Sequence, residues 1–303
     1  MKDRTLPFQF HMPKGIYMNQ NCINELLYKY ETRDKTASSI VFDFSETTWC
    51  DASVTPLLGV IIGNALIDYP GQVYVSKIPN KKVSNILEKN GFLNTYGLAE
   101  KTPDTYGTTI PYTVLDCNDD EKIDDFLDKE VFGFLRNHIE AAEIEIIRNS
   151  INEVSHNVKD HSSKSKLFFC GQFYPKKGYI SLTMTDDGIT IPTKIKQKFS
   201  LMTDKLDCHL IEWATGKGNS TKSIASSGLG LFGIRNYISE IGEFTILSGN
   251  GYWYQSRIGE QTLYELSYRY SGTLLNMKFY TDNQKSSGIT AKDDIMNPTS
   301  LLF

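Results

Sequence analysis

The sequence predicts an α/β (α+β) protein built from two units. Two observations carry that expectation. Up to about residue 100, short apolar strand signals alternate with helical stripes. In the second half, a helical stripe, an alternating strand and a glycine-opened helix are followed by four β-rich runs. At 303 residues, 40% of them hydrophobic, the chain is long enough for two cores of ordinary size.

In the first half, Ile23, Leu26 and Leu27 recur at helical spacing, and Ile40 to Phe44 is an apolar run expected of a strand buried on both faces. Val54 to Ile67 reads as a core helix, with Pro56 tolerated in its first turn. Val73-Tyr74-Val75 reads as a strand, and Val83, Ile86 and Leu87 mark a helix that stops near Gly91. From Glu100 to Asp120 the periodicity gives way to Pro, Gly, Thr and Asp. The domains are therefore drawn as 1–105, a linker over 106–120, a second domain over 121–281, and a polar, aperiodic tail over 282–303 expected to be mobile.

A formal charge of -4 and the lack of a dense Lys/Arg stripe argue against a nucleic-acid partner. Lys194, Lys196 and Lys198 read as a solvated loop face. The five cysteines are scattered and contain no C-x-x-C pair, which fits a reducing compartment rather than disulfides or zinc. With neither a signal-peptide pattern nor an apolar stretch of membrane-spanning length, a cytoplasmic location is expected.

Three segments carry chemistry. Ile144, Ile147, Ile151, Val154 and Val158 define an amphipathic helix on which Glu153 and Asn157, four residues apart, face the same way. A carboxylate beside a carboxamide can orient or deprotonate a nucleophile and supply an oxygen to Mg²⁺. Tyr179 to Thr185 alternates as a half-buried strand ending at Asp186-Asp187-Gly188-Ile-Thr190-Ile-Pro192. Gly228-Leu229-Gly230-Leu231 opens a further helix, where bare backbone N–H groups and the positive helix end suit phosphates. Each has an ordinary alternative: a solvated helix face, an Asp-Asp-Gly turn, a partial glycine box.

Taken together and in this order, the three segments resemble the GHKL ATPase superfamily over about residues 140 to 280. The resemblance implies a Bergerat fold, a sandwich with helices on one face of a mixed sheet, and a site for ATP (or ADP) with Mg²⁺. It makes Glu153 the general base, Asn157 the metal ligand and Asp186 the acceptor for the adenine amino group. Gly188 stands at the first glycine of the D-x-G-x-G pattern, and Thr190 replaces the second. Ser226 replaces the first glycine of G-x-G-x-G, leaving Gly228, Leu229, Gly230 and Leu231 as nucleotide contacts. Residues 193–225 take the place of an ATP lid, with Lys217, Thr221 and Lys222 as candidate phosphate contacts.

Phe42-Asp43-Phe44-Ser45 through Trp49-Cys50-Asp51-Ala52-Ser53, ahead of an apolar helix, looks like a STAS domain over about residues 10 to 95. That family's phosphoacceptor position falls on Ser53, although Ala52 and Val54 depart from its Ser and Gly. A serine there is equally placed as a helix N-cap or first-turn residue. His138 lacks a histidine-kinase context, and the residues after 280 are too few for the transducer domain of gyrase-like enzymes. Two functions stay open: a serine kinase of the anti-sigma-factor type, or an ATP-gated switch or slow ATPase that docks partners through its STAS-like domain. Expected partners are a STAS-type or sigma-factor-like regulator, and a second copy through the apolar face at Phe132–Glu140 is a further option.

Overall fold

The computed structural model describes residues 6–139, 144, 145, 147, 148, 151, 166–219 and 230–281. The first unit runs β1 (Phe8–His11), β2 (Gly15–Ile16), α1 (Gln20–Glu31), β3 (Ile40–Asp43), β4 (Trp49–Cys50), α2 (Thr55–Asp68), β5 (Val73–Val75), α3 (Lys81–Lys89) and α4 (Phe92–Thr95). Its main sheet is parallel, in the order β1-β3-β5. Asn19 starts α1 by accepting the Cys22 N–H, and Asn80 starts α3 in the same way. Gly91, at φ +84°, turns the chain after α3. Ile40 and Phe42 are buried, whereas Val41 and Asp43 are half-buried, so β3 is fully covered on one face only.

The second unit is a five-stranded antiparallel sheet ordered β6-β7-β8-β10-β9: β6 (Thr109–Asp116), β7 (Lys166–Tyr174), β8 (Tyr179–Asp186), β9 (Gly242–Gln255) and β10 (Gln261–Tyr280). Parallel and antiparallel pairings both occur, in separate sheets. The stretch read as a linker contains β6, so this sheet begins well before residue 121. Pro111 hides the strand signal in the sequence, yet an edge strand tolerates its missing N–H. The four late β-rich runs are two long strands. Between the pairs Glu265–Gly251 and Tyr270–Gly249, and again before Thr273–Ser248, β10 carries extra residues and bulges.

Both faces of the large sheet are covered. On one, Leu182, Met184, Phe169 and Met277 pack against α5 (Asp120–Phe126), the buried helical residues Ile144, Ile147 and Ile151, and α9 (Gly230–Ile241). Between α5 and those residues, the chain continues through a π-helical turn, 127–132, into α6 (Gly133–Leu135). On the opposite face, Phe168, Cys170, Leu274 and Tyr252 join the core of the first unit, with Leu57, Leu58 and Ile61 of α2. The two units thus share one continuous core, in which each buried Leu, Ile or Phe contributes about 1.5–3 kcal/mol. This is why β8, expected to be half-buried, is buried at every position. Its inward Ser181 and Thr183 are satisfied by the Asn276 amide at 2.9 and 2.8 Å, and Thr185 by the Tyr270 hydroxyl at 2.6 Å.

Candidate functional site

Asp186 ends β8 on the face that also carries Leu182 and Met184, so it points toward the helices. It is 4% exposed, and its Oδ1 accepts the Gly188 N–H at 2.7 Å, closing an Asx turn. Burial pushes this carboxyl up to about 7, against the Gly188 N–H and the nearby Lys194 charge, which favour the ionised form. Asp187 turns away and accepts the Lys166 N–H at 2.8 Å.

Thr190 caps α7 (Ile191–Lys198): its Oγ1 accepts the Thr193 N–H, with φ -72° and ψ 150°. That backbone is ordinary for a threonine, so nothing at this position demands a glycine. The conformational freedom is needed elsewhere. Gly272, at φ +89°, lies so close to the turn that a Cβ on it would meet the Asp186 carbonyl oxygen at 2.0 Å. The turn is held further by Ser248, whose hydroxyl accepts the Ile191 N–H at 2.9 Å, and by Arg269, which donates to Thr190 Oγ1 at 3.1 Å and Thr193 Oγ1 at 2.8 Å.

The segment expected as a lid contains α7 and then α8 (Asp207–Ala214). Glu265 accepts the first N–H groups of α8, from Asp207 and Cys208, at 3.2 and 3.0 Å. Asp207 is itself buried, with Lys196 at 2.8 Å and the Asn250 N–H at 2.9 Å. Gly251 lets the helix lie on β9, since a Cβ there would sit 2.6 Å from the Asp207 carbonyl carbon. Gly230 opens α9, with Leu231 half-buried behind it and Ile234 and Ile238 in the helix-side core. Arg235 fixes this helix, reaching Thr215 Oγ1 at 2.8 Å and Gln255 Oε1 at 3.2 Å.

The expected site residues therefore divide. Asp186, Gly188 and Thr190 form one turn, and Gly230 and Leu231 open a helix on the same face of the sheet. Glu153, Asn157, Gly228 and Leu229 lie outside the described residues, as do Thr221, Lys222 and Ser226. Lys217 is exposed. Ser53 is 0% exposed; its hydroxyl and its N–H both donate to Asp51 Oδ1, at 2.8 and 3.0 Å. Tyr174 of β7 donates to the same oxygen at 2.7 Å, so Ser53 sits at the junction of the two units. Here the first-turn role is the one observed, and the hydroxyl is not accessible as an acceptor in this arrangement.

All five cysteines are buried free thiols. Among the described residues, no group of three or more His, Cys, Asp or Glu could hold a metal ion, and no helix is long and apolar enough to cross a membrane. On the first unit's side of the sheet, a cleft of about 590 Å³ opens between Leu27, Ile61 and Asn64 and the β10 bulge at Tyr268, Arg269 and Ser271. Sequence reasoning missed Ser248, Asp207, Arg269 and Gly272. Gly272, isolated within a strand pattern, was a usable signal; nothing in the sequence distinguishes Arg269. No family model and no curated protein matches this chain.

Proposed function

We propose that this chain is an Mg-ATP-binding regulatory protein of the GHKL type, working as a nucleotide-gated switch with its first unit as the docking platform. One observation carries the nucleotide reading. A carboxylate, buried at the end of a central strand, faces the helices beside a glycine turn and accepts the backbone N–H of Gly188. Such an acceptor fits an adenine amino group, which would favour the ionised carboxylate that burial disfavours. Gly230 at the start of α9 would lend backbone N–H character to a phosphate site on the same face. Asn157 would supply the oxygen for Mg²⁺, and Glu153 would take a proton from a hydroxyl or water, as the family likeness implies. Bound ATP would supply either a phosphoryl group or the binding energy that reshapes the lid segment.

The burial of Ser53 favours the switch over phosphoryl transfer onto this chain's own first unit. A STAS-type serine on another protein is the substrate under the kinase reading. Incubation with γ-labelled Mg-ATP separates these. The switch predicts bound nucleotide with little release of phosphate and no label on Ser53. Label on an added STAS-type protein would replace the switch with the kinase, and failure to bind ATP would end both.

A further inference from the structure

We propose that Arg269 is a positioning residue of the nucleotide site, through which the first unit sets the geometry of the Asp186–Thr193 turn; this rests on the nucleotide reading above. The β10 bulge touches two partners in alternation. On the first unit's side, the Ser267 N–H donates to Asn24 Oδ1 at 3.0 Å, the Tyr268 ring meets Tyr28 at 5.2 Å, and Ser271 Oγ accepts from the Asn64 amide at 3.4 Å. On the site's side, Arg269 donates to the hydroxyls of Thr190 and Thr193, while the Tyr270 hydroxyl meets Thr185, the residue before Asp186, within the core shared with the first unit. Gly272 then lies against the Asp186 carbonyl. Six neighbouring positions, 267–272, therefore connect α1 and α2 to the turn that carries the candidate adenine acceptor.

Helix stabilisation does not account for Arg269. A cation at a helix N-terminus opposes the helix dipole, and only part of that is offset by Asp207, 3.9 Å from the guanidinium. Its two hydroxyl contacts instead tie the Thr190 cap, two residues beyond the Asx turn, to the first turn of α7 and to β10. Arg269 also lines the open cleft, and its side chain is 53% exposed. Replacing it therefore removes the connection without emptying a core position.

The test is a thermodynamic cycle on Mg-ATP affinity with Arg269→Ala, Asn24→Ala and the double variant, plus Arg269→Lys. Arg269→Ala is expected to weaken binding about tenfold and Asn24→Ala about threefold, with Asn24→Ala silent once Arg269 is gone. Lysine restores part of the loss. Unchanged affinity in Arg269→Ala, or an equal effect of Asn24→Ala in both backgrounds, overturns the proposal. Hydrogen exchange supplies an arm that needs no nucleotide. Amides from 188 to 194 lose protection in Arg269→Ala while the interior of β8 keeps its own, and unchanged protection at 188–194 overturns the coupling. If the wild-type protein fails to bind ATP while protection is lost as expected, the nucleotide reading falls and the mechanical connection stands.

Discussion

At the residue scale, Asp186 and Gly272 are under the strongest constraint. The Asp186 carboxyl holds its proton in the folded chain up to about pH 7, whereas the unfolded chain releases it near 3.8. The folded protein therefore loses stability as pH rises between these values and reaches a constant penalty above them. Asp186→Asn removes that penalty. The variant should be more stable than wild type by on the order of 2–4 kcal/mol at pH 8 and equal to it at pH 3.5, measured by urea unfolding. A gain independent of pH would show that the carboxyl is not the cause. Gly272→Ala should destabilise by about 2–4 kcal/mol, because the added methyl meets the Asp186 carbonyl and the residue keeps a positive φ. Asp186 was legible in the sequence because an alternating strand ended on it. Arg269 was not, because an exposed arginine in a strand has no local pattern and acquires its role only when the bulge folds over the turn.

At the element scale, α2 and β7 meet across Asp51. That carboxylate accepts from Ser53 twice and from Tyr174 once, which leaves no room for a second negative charge. Ser53→Asp should therefore cost roughly 3–5 kcal/mol, the penalty of an unpaired buried charge, whereas Ser53→Ala should cost only about 1 kcal/mol. Equal small effects, read from thermal unfolding, would mean that the junction opens easily. Most elements of the first unit were readable because apolar spacing and a first-turn Pro56 act locally. The bounds of β6 and the full burial of β8 were not. Pro111 mimics a loop, and the second covered face of β8 comes from helices more than a hundred residues earlier in the chain.

For the whole molecule, the shared core predicts one cooperative unfolding event rather than two. Far-ultraviolet dichroism and tryptophan fluorescence, which reports Trp49 in the first unit and Trp213 and Trp253 in the second, should give coincident urea transitions. Separate midpoints would contradict a continuous core. Cooperativity across the units also gives the proposed switch a physical route from the first unit to the Asp186–Thr193 turn. The sequence suggested two domains in order, but their sandwiching depends on contacts between distant apolar faces that no local spacing encodes. The central claim, that the carboxylate at the end of β8 receives the base of a nucleotide, is tested most directly by calorimetric titration of wild type and Asp186→Asn with Mg-ATP at pH 8. The account predicts binding by the wild type and at least a tenfold weaker affinity in a variant that is no less folded; equal affinity in the two, or none in either, would contradict it.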